Sequence, residues 1–108
     1  MVFNTGATLL DAIVLAVVSK ERAGTYGYRI TQQVQSVLDV SDSTLYPVLR
    51  RLQKDGCLEV YDREFAGRNR RYYKLTEKGD SQLRLYQSEW RSYSSKISGI
   101  LASGGRKL

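Results

Sequence analysis

The spacing of apolar residues predicts three helices in the first half of the chain. Residues 9–18 are apolar on almost every side of a helix, which predicts burial against more than one neighbour. A second helix over residues 26–37 has an apolar inward face made of Ile30, Val34, Val37 and Leu38. A third helix follows a turn at residues 38–41, so the second and third helices form a helix-turn-helix pair.

The third helix, with the sequence DSTLYPVLRRLQKDG over residues 42–56, has two chemically different faces. Its apolar face is predicted to pack on a core and consists of Leu45, Val48, Leu49 and Leu52. Its other face carries hydroxyls, an aromatic ring and basic groups: Ser43, Tyr46, Pro47, Arg50 and Lys54, with Arg51 at the edge. Such groups suit base edges and phosphates, which favours a recognition helix. The alternative is an ordinary surface helix with a solvated basic face.

Residues at both ends of the third helix predict where it starts and stops. Ser41 and Ser43 are both suitable N-caps, because a short side-chain oxygen can accept a hydrogen bond from a free N–H of the first turn. Pro47 indicates that the helix starts close to it. Gly56 supplies the stop, since glycine readily adopts the left-handed conformation that follows many last turns.

Beyond Gly56 the apolar period changes from helical to two, which predicts a β-hairpin, or wing. Its strands cover residues 58–63 and 70–75, and its turn covers residues 64–69. The pattern places Tyr73 and Leu75 on one face of the second strand, and Tyr72 and Lys74 on the other.

Two pairs of residues outside the third helix are candidate DNA contacts. Arg68 and Arg70 lie near the basic tip of the hairpin, where they can reach phosphates or a minor groove; the alternative is a solvated tip. Tyr26 and Tyr28 lie at the N-terminal end of the second helix. A tyrosine there can pack in the core or donate its hydroxyl to a phosphate, and both interpretations stay open.

The last helix starts at Thr76, a suitable N-cap. Its apolar residues recur every three or four positions, as in a heptad seam: Leu83, Tyr86, Trp90, Tyr93, Ile97 and Ile100. Such a helix has little of its own domain to pack against, so a second copy of the chain is expected to cover the seam and the apolar first helix. From Ser103 the tail is rich in glycine and is expected to be frayed.

Charge and composition narrow the function. The chain of 108 residues has a formal net charge of +6, and its pI of about 9.6 predicts attraction to polyanions such as DNA. With one cysteine and no histidine, the chain cannot build an internal disulfide, a Cys/His zinc cluster or a Ser-His-Asp triad. We therefore expect no enzymatic activity, no metal and no cofactor.

Cys57 is interpreted as a small buried residue at the start of a strand, with a redox-sensing thiol as the alternative. No secretory signal is recognisable, and the longest apolar run, residues 12–18, is too short to span a bilayer. A cytoplasmic protein without a membrane role is expected.

Three motifs resemble the PadR-like family of winged helix-turn-helix transcriptional regulators. They read YGYRI at residues 26–30, TLYPVLRRLQKDG at residues 44–56 and RRYYKLTEKG at residues 70–79. The resemblance implies a mainly α fold with a small β-hairpin, namely a winged helix-turn-helix followed by a long C-terminal dimerisation helix. DNA binding is expected in residues 1–76, and the dimerisation helix and flexible tail in residues 77–108.

The resemblance also implies contacts to the major groove and its flanking phosphates. In the third helix these are Tyr46, Arg50 and Lys54, with Ser43 and Thr44 at its entry. In the wing they are Arg68, Arg70 and Arg71.

The short chain resembles the small subfamily, whose members dimerise through the last helix and repress transcription. Some of them bind flat aromatic drugs between the dimer helices, stacked on a tryptophan that Trp90 matches. The acidic residue that drug-responsive members can carry four positions later is Ser94 here, and the residue three positions before is Gln87. Trp90 is therefore expected either to stack on an aromatic effector or to anchor the dimer without a ligand.

The resulting hypothesis is a homodimeric repressor that binds double-stranded DNA at a pseudo-palindromic operator and is released by a small-molecule effector. The alternative is a sensor or partner-protein binding module that uses the winged fold as a docking platform.

Overall fold

The computed structural model of the chain describes residues 6–105, which form four helices and a three-stranded antiparallel sheet. In chain order the elements are α1 (Ala7–Ser19), β1 (Thr25–Tyr26), α2 (Gly27–Gln35), α3 (Asp42–Lys54), β2 (Leu58–Phe65), β3 (Arg68–Leu75) and α4 (Glu77–Ser103). The sheet has the order β1-β3-β2. The predicted winged helix-turn-helix with a long last helix is confirmed. The last three residues of the predicted tail lie outside the described residues.

The core lies between α1, α2, α3 and one face of the sheet. Its most buried side chains are Val14, Leu15, Val18, Ile30, Val34, Leu45 and Leu49. The predicted inward face of α2 is wrong at its last two positions, because Val37 is 74% exposed and Leu38 lies outside the buried core. Helix α2 ends at Gln35, so Val37 lies in the following turn and no longer shares the helical face.

Helix α3 begins earlier than its proline indicated. Ser41 is the N-cap, and its side chain accepts a hydrogen bond of 3.2 Å from the Thr44 N–H. The helix therefore starts at Asp42, and Pro47 lies inside it. Proline cannot donate the backbone hydrogen bond that a residue at this position normally gives to the carbonyl of Ser43. At the other end Gly56 has a φ of +80°, as its predicted role as a helix stop requires.

The wing is longer and its turn tighter than the pattern predicted. The two strands pair from Leu58 with Leu75 to Phe65 with Arg68, so the turn is only Ala66-Gly67. Both turn residues have positive φ, +54° and +78°, which is typical of a type I′ turn. Alanine rarely occupies this left-handed conformation, which is why the sequence indicated a longer loop.

The outer face of the sheet carries an aromatic cluster that the alternating pattern did not predict. Tyr72, predicted to share a face with Lys74, is buried against Tyr61, with ring centres 5.6 Å apart and nearly parallel planes. Tyr26 approaches Tyr72 edge-on, with ring centres 5.8 Å apart. The hydroxyl of Tyr61 donates to the carbonyl of Ala23. The short strand β1, which sequence analysis missed, brings Tyr26 to this position.

Helix α4 is attached to the wing and to α3 at a joint made by several backbone contacts. The Thr76 hydroxyl accepts the Gly79 N–H at 3.0 Å, which confirms the predicted cap, and donates to the Gly56 carbonyl at 2.7 Å. The Thr76 N–H donates to the Cys57 carbonyl at 3.2 Å, and Lys78 Nζ donates to the Asp55 carbonyl at 2.6 Å. Cys57 is buried, as expected.

Helix α4 packs on α1 of its own chain, contrary to the expectation that it has little of its own domain to contact. Leu83 is buried and Tyr86 packs against the core cluster, so the first turns of α4 cover one side of α1. The later turns extend past the domain, which gives the molecule its dimensions of 66 × 26 × 20 Å.

Candidate nucleic-acid interface

An open groove of about 590 Å³ lies where the start of α2, the middle of α3 and strand β3 meet. It is lined by Tyr26, Gly27, Tyr28, Tyr46, Arg50, Arg70, Arg71 and Tyr73. Six of these residues were predicted from the sequence to contact DNA, although they come from three separate segments. The fold therefore brings most of the basic and aromatic candidates to one surface.

Close approach of α2 to α3 shapes the floor of this groove. A Cβ atom at Gly27 would lie 3.4 Å from the Tyr46 ring and 3.6 Å from the Tyr73 ring. A larger side chain at this position would fill the space between the helices. Gly27 thus lies beside both rings, at van der Waals distance for an added methyl group.

The groove is electrostatically positive. Three arginines and no carboxylate are found among the described residues that line it. Burial raises the pKa of the Tyr73 hydroxyl, while the neighbouring Arg71 and Arg50 charges oppose that rise. Tyr73 therefore stays a neutral hydrogen-bond donor at physiological pH, which suits a phosphate or a base acceptor.

The two tyrosines at the start of α2 have different environments. Tyr26 is half-buried, belongs to the aromatic cluster and also lines the groove. Tyr28 is exposed, and its hydroxyl accepts a hydrogen bond of 3.0 Å from Gln32 Nε2. Of the two interpretations left open by the sequence, packing applies to Tyr26, while Tyr28 is accessible to a ligand.

The remaining predicted contacts lie outside the groove lining. Ser43 and Thr44 are exposed at the entry of α3, where their hydroxyls lie 2.9 and 3.1 Å from the Ser41 hydroxyl. Lys54 is exposed at the last residue of α3, and Arg68 is exposed beside the wing turn.

Arg51 is directed to another part of the molecule. Its guanidinium forms a salt bridge with Asp11 of α1, so it connects two helices of the core. Burial raises the pKa of the Asp11 carboxyl, and the charge of Arg51 and its hydrogen bond counteract part of that rise. The structure thus separates Arg51 from the groove that its neighbour Arg50 lines.

Several residues of this surface were not predicted from the sequence. Gly27 and Tyr73 line the groove, and Arg63, Phe65 and Tyr72 lie on the outer face of the wing beside Arg70. An alternating strand pattern signals which residues share a face, but it gives no sign of the short strand β1 that closes one side. Gln35, whose side chain donates to the Val40 carbonyl at 3.1 Å and to Asp42 Oδ1 at 2.8 Å, also gave no signal.

A second groove, of about 300 Å³ and almost wholly apolar, lies between α1 and α4. Its lining consists of Leu9, Ala12, Ile13, Ala16, Leu83, Tyr86, Gln87 and Trp90. Three members of the predicted seam belong to it. Trp90 is 42% exposed, and its ring centre lies 6.1 Å from that of Tyr93. Farther along the seam, Ile97 is 38% and Ile100 67% exposed.

Other kinds of site have little support in the part of the chain that the structure describes. Residues 6–105 contain no group of three His, Cys, Asp or Glu side chains that could hold a metal ion. Over the same residues, no helix has the length and apolar character needed to cross a membrane.

Comparison with known proteins places this chain in a family. Residues 14–85 match the transcriptional regulator PadR-like family. The solved structure of smu.1704 from Streptococcus mutans UA159 is 38% identical, with a TM-score of 0.84 over 100% of both chains. A PadR-like transcriptional regulator from Bacillus cereus is 29% identical, with a TM-score of 0.77 over 86% of this chain and 91% of that one. An uncharacterised protein of Lysinibacillus sphaericus is 33% identical over 87 residues, or 75% of this chain and 77% of that protein.

Proposed function

This chain belongs to the PadR-like family of DNA-binding transcriptional regulators, and from that premise we propose that it is a homodimeric repressor of a pseudo-palindromic operator. Its family is one of transcription regulators and not of enzymes. We propose further that a planar aromatic effector releases it from DNA, and that it acts in the cytoplasm.

The observation that carries the proposal is the positive groove between α2, α3 and β3. Arg50, Arg70 and Arg71 line it together with Tyr28 and Tyr46, a combination that suits phosphates and base edges. Ser43 and Thr44 are exposed at the entry of α3, where the first residues of a recognition helix reach bases. Lys54 and Arg68 add positive charge at the end of α3 and at the wing tip.

The exposed apolar seam of α4 supports a dimer. Ile97, Ile100 and Leu101 project from the part of α4 that extends past the domain. A partner helix would remove these side chains from water and double the charge from +6 to +12. Two recognition helices related by a two-fold axis would then enter major grooves about 34 Å apart.

The apolar groove between α1 and α4 supports a site for the effector. It is bounded by Trp90 and lies beside the proposed dimer seam, so a bound ring system would contact the surface that sets the dimer geometry. Gln87 lies in this lining where a carboxylate would favour a cation, so a neutral planar ring is the better match. Release requires that the effector bind the DNA-free arrangement more tightly than the DNA-bound one.

Selection of genomic DNA fragments on the purified protein, followed by fluorescence anisotropy, tests the proposal. We expect a palindromic site that binds about a thousandfold more tightly than a scrambled duplex at physiological salt. Binding to both duplexes should weaken steeply as salt rises, because each phosphate contact releases counterions. Transcription in vitro from a promoter that contains the site should fall when the protein is added.

Equal affinity for the selected and scrambled duplexes would contradict the operator proposal and favour a partner-docking role for the fold. A site that is bound specifically but leaves transcription unchanged or raised would contradict repression alone. Titration with neutral acridone should quench Trp90 fluorescence and weaken operator binding; unchanged fluorescence and binding would remove the effector step.

A further inference from the structure

The outer face of the wing brings two arginines into direct opposition. Arg63 and Arg70 are paired across β2 and β3 and share the same face of the sheet. Like charges at such a position repel each other. Within residues 6–105 no salt bridge involves either of them. The hairpin therefore needs another interaction to hold two guanidinium groups there.

Aromatic rings supply that interaction. The Cζ atom of Arg70 lies 4.6 Å from the centre of the Tyr26 ring and 4.9 Å from the centre of the Phe65 ring. Arg63 lies over Tyr72, with its Cζ atom 5.6 Å from the ring centre. All three distances are within the range of cation–π attraction. Arg63 and Arg70 thus contact different rings, and these contacts hold the two guanidinium groups apart.

The two rings reach Arg70 from opposite directions along β3. Phe65 is paired with Arg68, one step toward the turn, and Tyr26 is paired with Tyr72, one step toward the root of the wing. Arg70 lies between these two positions on the same face. Phe65 is 56% exposed, so burial in the core does not account for a phenyl ring at this place.

Cation–π contacts leave the hydrogen-bonding capacity of a guanidinium unused. The rings interact with its charge, whereas its N–H donors remain available to an acceptor. A guanidinium that is already held in position loses less side-chain entropy when it binds a phosphate through two parallel hydrogen bonds. Arg70 also lines the positive groove, where such an acceptor would arrive.

We propose that Phe65 and Tyr26 are positioning residues that hold the guanidinium of Arg70 ready for a phosphate of the DNA backbone. The proposal rests on the DNA-binding function proposed above, and it assigns to the exposed Phe65 a role in binding that composition and pattern did not indicate. Lysine at position 70 would keep the charge but would lose the planar fork.

A double-mutant cycle tests the positioning role. The affinities of the wild type, Phe65→Leu, Arg70→Gln and the double variant are measured by anisotropy on the selected duplex and on a scrambled one. We expect Phe65→Leu to weaken binding to both duplexes about three- to fivefold, since it removes a ring face and leaves the net charge unchanged. Arg70→Gln should weaken binding about tenfold, and adding Phe65→Leu to it should cause almost no further loss.

Two matched variants separate positioning from general effects on charge and folding. Arg63→Gln removes the same charge from the opposite strand, and in that background Phe65→Leu should still weaken binding by its full factor. Phe65→Tyr keeps a ring face and should bind within about twofold of the wild type. Arg70→Lys keeps the charge and part of the cation–π attraction, so Phe65→Leu should weaken binding less in that background than in the wild type but more than in Arg70→Gln.

The outcomes decide the proposal separately from the repressor function. If Phe65→Leu has no effect, or weakens binding by the same factor in the wild-type and Arg70→Gln backgrounds, the positioning role is wrong. If the wild type does not distinguish the two duplexes, the operator proposal fails, while the cycle on the scrambled duplex still measures the coupling between Phe65 and Arg70.

Discussion

Arg50 and Arg51 are neighbours in the sequence, yet they face different parts of the molecule. One residue of an α-helix turns the side chain by about 100°, which carries Arg50 to the positive groove and Arg51 to α1. Arg50 is exposed, whereas the Arg51 guanidinium compensates the partly buried Asp11 carboxylate. A basic residue of α3 can therefore face the proposed DNA surface or stabilise the fold.

At neutral pH, replacing Arg50 by glutamine should affect DNA binding, whereas replacing Arg51 should affect stability. Arg50→Gln should weaken DNA binding about tenfold and change the free energy of unfolding by less than about 0.5 kcal/mol, as for an ordinary surface substitution. Arg51→Gln should lower the free energy of unfolding by about 1–2 kcal/mol, because the ion pair that it breaks is partly solvent-screened. Urea unfolding and anisotropy measure the two effects, and equal profiles for the two variants would contradict this division.

The loss in free energy of unfolding caused by Arg51→Gln should grow as pH rises. The pKa of Asp11 in the folded chain is raised above its ordinary 3.8, so this carboxyl makes the fold less stable as pH rises through that pKa. Loss of Arg51 removes the charge that opposes the rise, and the pKa should move further up. The destabilisation should be fully present above the folded pKa and should disappear below 3.8, where Asp11 is protonated. Unfolding at pH 3 and pH 7 checks this sign.

At the scale of elements, the amphipathic period predicted where the helices lie. Single residues did not predict the exact ends of helices or the conformation of the turn. Each helix of residues 6–105 lies where apolar spacing predicts one, because burying a stripe of side chains needs a specific period. Boundaries set by single residues were harder: Pro47 lies inside α3, and Ala66 adopts a positive φ. Strand β1 has only two residues, too few for any period, and pairs solely because the fold brings it to β3.

The contact between α4 and the start of the wing should be sensitive to one added methyl group. A Cβ atom on Gly79 would collide with the carbonyl oxygen of Cys57 and lie 2.9 Å from Leu75 Cδ1. Gly79→Ala should therefore lower the free energy of unfolding by about 1–3 kcal/mol, as overpacking does. Gly99→Ala, in the same helix with nothing within 4 Å, should raise it by about 0.5–1 kcal/mol. A loss of stability in both variants, measured by urea unfolding, would contradict the assignment of the loss to the contact at Gly79.

At the scale of the whole molecule, the chain has more apolar surface along α4 than one copy can bury. The first turns of α4 cover α1, but the seam continues past the domain with exposed isoleucines. The heptad spacing predicts the seam but not that its first third packs within the chain. Which part of the seam packs within the chain depends on the direction of α4. The joint at Thr76 sets that direction, and the spacing of apolar residues does not encode it.

Ile97→Glu should weaken dimerisation by at least about tenfold, since each dimer would lose two apolar side chains from its interface. Operator affinity should fall with it, because a monomer reaches one half-site only. Ser95→Glu adds the same charge on the opposite side of α4 and should leave both unchanged. Sedimentation equilibrium at several protein concentrations checks this expectation, and a wild type that sediments as a monomer throughout would contradict the dimer.

The joint at Thr76 fixes one end of α4, while the other end extends past the domain. Hydrogen bonds from Thr76 and from Lys78 to the backbone carbonyls of residues 55–57 tie the start of α4 to the residues directly after α3. A helix of 27 residues is about 40 Å long, and one degree of rotation at its root displaces its far end by about 0.7 Å. Conversely, if α3 and α4 move as one body, a shift of about 0.7 Å at the free end of α4 corresponds to a rotation of α3 by only about one degree. Because α4 is long, a large movement at the proposed dimer seam would correspond to only a small rotation at the proposed DNA surface.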